Sequence, residues 1–437
     1  MRLISIFLLA SFAWTAEPNW AALEPYALDL LQRYIRIESI NPPADTRKAA
    51  AFLQAELAKN SIDVKLYPAN QDGQVNLLAR LPGKDRTKRP LLLLSHMDVV
   101  PVDRKAWSME PFAAILRDGS IWGRGALDMK GIGIQQLVSL IAIKQAGIVP
   151  DRDILFLATA DEETGGKLGA EWMIANHWAD MNPEYVIDEG GVVTQDMLAA
   201  NKLVFGITVG EKQNIWLRVR AKGTAAHGSQ PIPENSNMIL LRAIEKAMAA
   251  PAAVKPSPIV AGMQMRLGEM AKNKFTAAIQ GNTITLTTLN SGVGSPPKVN
   301  VIPSAAEATF DCRLLPGVNA EEFVSDMKAR VNDPRVTIER LSFPKDAGAS
   351  GTDTPLFRAI TAAAMKHHPT AVVAPILVPW STDIVKFRAK GAVSYGLTPM
   401  VLDAATMATM HSDEERIPIA EFLKGIRIYF DVVRSSF

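Results

Sequence analysis

Three consecutive acids, Asp161, Glu162 and Glu163, directly follow an apolar run at residues 154–158 that reads as a buried strand. Crowding like charges at the end of such a strand is costly, because desolvation and mutual repulsion both oppose it. A metal ion would relieve the repulsion, since it takes deprotonated oxygen atoms as ligands. The competing interpretation is a solvated acidic turn, because charged side chains are usually exposed.

Other residues with metal-binding chemistry recur along the chain. Hydrolases with two zinc ions need four or five nitrogen and oxygen ligands, one of them a carboxylate that bridges the ions. The lone cysteine, Cys312, excludes both an internal disulfide and a cysteine-based zinc site. Five residues at predicted strand ends or in loops have the required chemistry: His96, Asp128, Glu163, Asp188 and His411. The contexts of the other candidate histidines are typical of structural residues: His177, His367 and His368.

The segments around these candidates alternate between apolar strands and helices, up to about residue 210 and again after 345. This alternation predicts an α/β fold with a mainly parallel sheet, in which ligands belong at the carboxyl ends of the strands. From about residue 211 the predicted order is β-α-β-β-α-β, typical of a ferredoxin-like sandwich. The sequence therefore predicts a first catalytic segment at 17–210, an inserted domain at 211–344 and a second catalytic segment at 345–437. A stretch near 250–274 is interpreted as an insertion rather than core.

Composition limits the possible ligands and the compartment. The 437 residues carry a formal charge of +2, which gives no sign of a nucleic-acid footprint and favours a small ligand. The segment 1–16 has one basic residue, an apolar core and the small pair Ser11 and Ala13, a pattern that predicts a cleaved signal peptide and a secreted or periplasmic protein. Its apolar run is too short to span a bilayer comfortably, and no other segment approaches that length.

In order along the chain, several motifs resemble those of the co-catalytic zinc exopeptidases, a family that contains glutamate carboxypeptidase, aminoacylase, succinyl-diaminopimelate desuccinylase and yeast carboxypeptidase S. The resemblance covers nearly all of the chain after the first segment and is most similar to the carboxypeptidase S and N-acyl-amino-acid hydrolase branch. The matching segments are residues 95–101, 122–131, the triplet at 161–163, and residues 188–191, 223–228 and 411–414.

The resemblance implies a role for each candidate. Asp128 would bridge two zinc ions, with cobalt or manganese as possible substitutes; His96 and Asp188 would complete one site, and Glu163 and His411 the other. Glu162 would be the general base that takes a proton from metal-bound water and passes it to the leaving amine. Residues on an extended strand end alternate in direction, which would separate Glu162 from Glu163. Asp98 would fix the histidine ring of His96 through its other nitrogen.

The resemblance also gives the inserted domain a function as a lid and dimerisation domain. His227 would reach the active site of a neighbouring subunit and donate to the developing oxyanion, which implies a homodimer. Arg313 and Asn300 resemble lid positions that bind a substrate carboxylate, and Thr382 lies in a segment near the substrate pocket. A surface arginine and a turn asparagine remain the alternatives for Arg313 and Asn300.

The predicted activity is hydrolysis of the C-terminal amino acid from a short peptide, or of the acyl group from an N-acyl amino acid. An inactive periplasmic binding protein on the same fold is the alternative, but such a protein would not need the base Glu162. The glycines Gly123, Gly125 and Gly131 do not fit a dinucleotide motif, because they follow a hairpin and have Asp128 between them. The sequence leaves the choice between peptidase and aminoacylase open.

Overall fold

The structure is a computed structural model and describes residues 17–249, 255–342 and 346–435. The strands are, in chain order, β1 (Asp63–Pro68), β2 (Val75–Leu81), β3 (Leu91–His96), β4 (Ile115–Arg117), β5 (Ser120–Trp122), β6 (Ile154–Thr159), β7 (Tyr185–Asp188), β8 (Val192–Gln195), β9 (Leu203–Glu211), β10 (Gln213–Lys222), β11 (Ala226–His227), β12 (Thr283–Ser291), β13 (Val301–Ile302), β14 (Ala305–Leu314), β15 (Val336–Arg340), β16 (Val372–Val378), β17 (Val393–Gly396) and β18 (Arg416–Pro418). The helices are α1 (Trp20–Ile35), α2 (Arg47–Lys59), α3 (Lys130–Gln145), α4 (Ala170–Met181), α5 (Ser236–Met248), α6 (Pro258–Leu267), α7 (Lys274–Ala278), α8 (Ala320–Val331), α9 (Pro355–His367), α10 (Ile384–Arg388), α11 (Ala404–Met407) and α12 (Ile419–Arg434).

The central sheet runs in the order β1-β2-β6-β3-β7-β17-β9-β16, with β8 beside β9. Strands β6, β3, β7 and β17 run parallel to one another. The carboxyl ends of these four strands therefore meet at one edge of the sheet, which is where an α/β sheet builds its ligand site. The predicted α/β fold with a largely parallel central sheet is confirmed.

Both faces of this sheet are covered. In β3, Leu91 and Leu93 pack into the core that contains α1, α3, α9 and α12, whereas Leu92 and Leu94 pack into the core on the side of α4 and α10. Successive residues of a strand point to opposite faces of the sheet, so the two cores lie on its two faces. Because its strands are buried on both faces, the sheet consists of nearly continuous apolar runs.

A second sheet runs in the order β12-β14-β10-β15 with antiparallel neighbours throughout. Helices α5 and α8 pack against it and share a separate apolar core with it. The chain order β10-α5-β12-β14-α8-β15 is that of a ferredoxin-like sandwich, as the sequence predicts. The division of the chain at 17–210, 211–344 and 345–437 stays a prediction.

Helix α6 lies in the stretch interpreted as an insertion, and α7 begins at the last residue of that stretch, Lys274. Neither helix joins the sandwich core. Both contribute to an apolar cluster with strand β16 at the edge of the central sheet: α6 through Val260 and Met263, and α7 through Phe275. Covering an edge strand in this way removes a surface prone to pairing with other chains.

None of the helices in the described ranges has both the length and the apolar character needed to cross a membrane. The segment 1–16, for which the sequence predicts a signal peptide, lies outside the described residues.

Candidate metal centre

Three neighbouring parallel strands bring the first candidates together. His96 is the last residue of β3, the acidic triplet begins two residues after the end of β6, and Asp188 and Glu189 lie at the end of β7. Asp128 comes from the loop immediately before α3, and His411 from the loop between α11 and β18.

The two oxygens of the Asp128 carboxylate face two different histidines. Oδ1 lies 3.0 Å from Nε2 of His96, and Oδ2 lies 2.8 Å from Nε2 of His411. Each histidine has a second carboxylate beside it: Oε1 of Glu189 is 3.5 Å from His96, and Oε2 of Glu163 is 3.4 Å from His411. The result is two half-sites of one histidine and one glutamate each, joined by Asp128.

The buried carboxylates of the cluster would be stabilised in their charged form by a nearby positive charge. Burial raises the pKa of Glu162 well above its ordinary value and raises that of Glu189 to about 8, with nearby carboxylates adding to both effects. Hydrogen bonds with Asp128 and Glu163 raise the pKa of His411 to about 11. The histidine proton is thus held by the same carboxylates that a cation would neutralise.

The donor set fits a pair of divalent ions. Ligand atoms of His96, Asp128 and Glu163 lie within 4.8 Å of one another, and so do those of His96, Glu162 and Glu189. Oε1 of Glu163 is buried without a hydrogen-bond partner among the described residues, as an oxygen that binds a cation would be. Imidazole and carboxylate ligands with one bridging carboxylate match the chemistry of a two-metal hydrolase site.

The structure places Asp188 differently from the sequence prediction. The sequence assigned it to the metal site with His96, but its Oδ2 accepts a hydrogen bond of 3.1 Å from Oγ1 of Thr382, and the adjacent Glu189 faces His96 instead. Neighbouring residues at a strand end point to opposite sides, so only one of the two can face the cluster. In the structure, Glu189 is the carboxylate in position to complete the half-site of His96.

The acidic triplet also differs from its prediction. β6 ends at Thr159, and residues Glu162–Thr164 form a single 3-10 turn rather than an extended strand end. The separation of Glu162 from Glu163 therefore comes from the turn: Glu163 lies near His411, whereas Glu162 groups with His96 and Glu189.

The carboxylate of Asp98 holds this turn. It accepts the backbone N–H groups of Asp161, Glu162 and Glu163 at 3.0, 3.1 and 3.1 Å. The ring nitrogen Nδ1 of His96 bonds to the backbone oxygen of Asp98 at 2.9 Å, and the carboxylate lies farther away at 3.6 Å. Asp98 thus orients His96 mainly through its main chain, while its side chain positions the acidic residues.

Asn41, which the sequence reasoning missed, completes this network. Its amide donates to Oδ2 of Asp98 at 2.7 Å and to Oδ1 of Asp161 at 3.1 Å, so one neutral group separates two buried carboxylates. The cue available in the sequence, Asn41 before two prolines, indicates only the end of a helix. Asp161 in turn accepts the N–H of Leu168 at 3.0 Å, which gives the first acid of the triplet a structural role.

Replacing Asn41 with alanine is expected to lower the free energy of unfolding by about 1.5–3 kcal/mol, because two buried carboxylates lose a hydrogen-bond donor. Urea denaturation of the metal-free protein measures this effect. Asn176→Ala is the control, since the Asn176 amide bonds only the exposed Trp172 carbonyl, and a change within about 0.5 kcal/mol is expected there. Equal losses in the two variants would contradict the role given to Asn41.

A second missed residue, Glu415, ties the Asp128 loop to the His411 loop. Its buried carboxylate accepts the N–H groups of Leu127 and Asp128 at 2.8 and 3.0 Å and pairs with the Arg124 guanidinium at 2.6 Å. Arg124 also donates to the backbone oxygen of His411 at 3.4 Å. The motif at 411–414 ended one residue too early to include it.

The remaining predicted residues lie outside this cluster. Thr382 is buried and its Oγ1 lies between the carboxylates of Asp188 and Glu211. His227 is exposed on β11 with Nδ1 2.7 Å from Oγ of Ser229, and β11 pairs with β13, which directly follows Asn300. Arg313 on β14 is paired with Asp311 at 2.7 Å. Within the described part of the chain, no hydrogen bond or ion pair links His227, Asn300 or Arg313 to the metal cluster.

Comparison with known proteins places the chain among peptidases. A model of "Peptidase family M20/M25/M40" matches residues 92–435. Aminoacylase-1 of Sus scrofa is 30% identical over 417 residues, covering 94% of this chain and 95% of that protein. Probable carboxypeptidase S-like 2 of Dictyostelium discoideum is 27% identical over 408 residues, covering 85% of this chain and 76% of that protein.

Solved structures show the same fold at low sequence identity. The M20 family metallo-carboxypeptidase Sso-CP2 from Sulfolobus solfataricus is similar with a TM-score of 0.74 and 17% identity, covering 94% of this chain and 99% of that one. Human carnosine dipeptidase 1 is similar with a TM-score of 0.70 and 16% identity, covering 95% and 97% of the two chains.

Proposed function

Since the chain belongs to peptidase family M20/M25/M40, we propose that its cluster of histidines and carboxylates is the active site of a metal-dependent amidohydrolase or peptidase. The observation that carries the proposal is the Asp128 carboxylate, whose two oxygens face His96 and His411. This is the arrangement expected of a carboxylate that bridges two ions. Neither the family match nor the relatives support the alternative of an inactive binding protein.

Five residues would hold the two ions, for which we propose zinc: His96 and Glu189 on one side, Glu163 and His411 on the other, and Asp128 between them. When bound, the ions supply Lewis-acid chemistry that polarises a carbonyl and makes water more acidic. The remaining steps fall to the protein itself.

Glu162 is the proposed general base. It groups with His96 and Glu189 at the cluster, and it has no hydrogen bond from a neighbouring side chain that would tie it to a structural role among the described residues. Burial raises the pKa of its carboxyl group, which makes it a better proton acceptor. Glu162 would take a proton from the attacking water and deliver it to the nitrogen of the leaving amine.

The proposed substrates are short peptides cleaved at the C-terminal residue and N-acyl amino acids. Both contain an amide next to a free carboxylate, and each possibility is supported by a relative, carboxypeptidase S-like 2 for the first and aminoacylase-1 for the second. Arg313 and Asn300 remain candidates for binding that carboxylate; Arg313 would first have to exchange its bond with Asp311.

We further propose that the active unit is a homodimer and that the protein is exported. β12 is an edge strand with a largely exposed surface, and α5 beside it exposes Met238, Leu241 and Met248. An open sheet edge next to an apolar helix face is suited to pairing with a second copy. His227 is exposed, and among the described residues it has no hydrogen bond to the metal-ligand cluster of its own chain; it would then donate to substrate in the partner's site.

Metal removal tests the proposed function. Treating the purified protein with a chelator is expected to abolish hydrolysis of N-acetyl amino acids and dipeptides, and added Zn²⁺ is expected to restore it, because the ligands remain in place. His411→Ala should prevent recovery, whereas His367→Ala should allow it, since His367 pairs with Asp431 away from the cluster. Full activity in protein verified as metal-free would refute the proposal, as would no activity toward either class in protein verified to hold two ions.

A further inference from the structure

Trp380 stands beside the proposed metal centre. It follows β16, and its indole Nε1 would lie 3.4 Å from a Cβ atom built on Gly190, the residue directly after Glu189. The side chain is partly exposed, and its N–H has no hydrogen bond to any residue within the described ranges. The indole therefore lies against the backbone that directly follows Glu189 and keeps part of its surface exposed.

Phe275 supports Trp380 from behind. The two rings pack edge to face, with centroids 5.6 Å apart and an interplanar angle of 63°. Phe275 is buried in the apolar cluster that joins α6 and α7 to the edge strand β16. An aromatic pair of this geometry is favourable beyond its buried area.

The short helix α7 that carries Phe275 is fixed at both ends. At its start, Asn273 and Thr276 form a capping box. At its end, the buried Lys212 donates to the backbone oxygens of Ala278 and Gly281 at 2.8 and 2.7 Å. Because its support is held in this way, Trp380 has a defined position rather than an adaptable one.

Met407 is a second partly exposed apolar side chain at this buried cluster. It lies in α11, four residues before His411, and packs while partly exposed against the same buried cluster as Trp380. Trp380 is thus close in space to the residue after Glu189, and Met407 is close in the chain to His411.

We propose that Trp380, supported by Phe275, is a specificity-determining residue that selects substrates with a large apolar or aromatic group next to the scissile amide. The inference rests on the proposed function and adds the substrate class. An indole face contributes much apolar contact area and few hydrogen-bonding demands, so it favours phenyl and long alkyl groups over glycine or charged side chains.

The test compares kcat/KM of the zinc-loaded enzyme for N-acetyl-phenylalanine, N-acetyl-glycine and N-acetyl-lysine, and for hexanoyl-glycine as the acyl-side probe. Trp380→Ala is expected to reduce the ratio of kcat/KM for the best apolar substrate to that for N-acetyl-glycine by about tenfold or more, mainly through KM. Phe275→Ala should lower the ratio in the same direction, and Trp380→Phe should restore most of it. Trp216→Ala, which alters an exposed tryptophan on β10, is the matched control and should leave the ratio unchanged.

Binding separates this inference from the proposed function. Calorimetry on the zinc-loaded Glu162→Gln protein measures affinity for N-acetyl-phenylalanine and N-acetyl-glycine without turnover, with and without Trp380→Ala. The wild-type enzyme could hydrolyse none of these substrates while Trp380 still controls preferential binding of the phenyl ligand. In that case the proposed reaction is wrong, and the role of Trp380 in ligand selection is supported. An unchanged kcat/KM ratio together with unchanged relative affinities in folded Trp380→Ala would contradict the proposed role of Trp380. A wild-type preference for the glycine or lysine substrate would contradict it as well.

Discussion

Replacing Glu162 with glutamine is expected to lower kcat by about 10² to 10⁴-fold, the usual contribution of a general base, while both metal ions stay bound. Glutamine keeps the size of the side chain but cannot accept the proton of the attacking water. The five proposed ligands are untouched, so metal content and the melting temperature should change little. Steady-state kinetics and elemental analysis on the same protein preparation measure the two effects.

The control for this experiment is Glu171→Gln, which removes an exposed carboxylate from the first turn of α4. It should leave kcat unchanged. Turnover of the Glu162 variant at the wild-type rate would show that Glu162 is not the general base. Loss of metal from that variant would instead make Glu162 a ligand.

The second large effect is expected from a pair of matched amide substitutions at the end of β7. Glu189→Gln should lose one of the two metal ions and lower kcat/KM by more than about 10²-fold, because a metal ion contributes several kcal/mol to the transition state. Asp188→Asn should keep both ions, since its side chain is hydrogen-bonded to Thr382 rather than directed at His96. Metal titration followed by kinetics distinguishes the two variants.

The opposite pattern, with metal lost from the Asp188 variant and kept in the Glu189 variant, would restore the assignment made from the sequence. Equal loss in both would mean that the end of β7 is coupled too tightly to the cluster for one residue to be singled out.

Most of the fold follows from periodicity. Leu91–His96 and Ile154–Thr159 are strands because their apolar runs are too short for helices and are buried on both faces. The ferredoxin-like order is readable because β10 and β14 alternate between buried and exposed residues along their length. In strand β9, by contrast, eight of the nine residues are buried, so no alternation marks it as a strand.

The same loss of alternation affects the assignment of ligands at the metal centre. All four residues of β7 are buried, so neither face is marked as polar, and the pattern cannot decide whether Asp188 or Glu189 faces the cluster. The 3-10 turn of the acidic triplet depends on Asp98, which lies 63 residues or more away in sequence, and no local signal encodes it. Contacts such as those of Asn41 and Glu415 are also long-range and become visible only when the chain is folded.

Anomalous diffraction at the zinc edge, from crystals of the zinc-loaded protein, tests the proposed two-metal site most directly. We expect two peaks about 3.5–4 Å apart, one bounded by His96 and Glu189, the other by Glu163 and His411, with Asp128 between them. A single peak, or a peak ligated by Asp188 with Glu189 turned away, would contradict it.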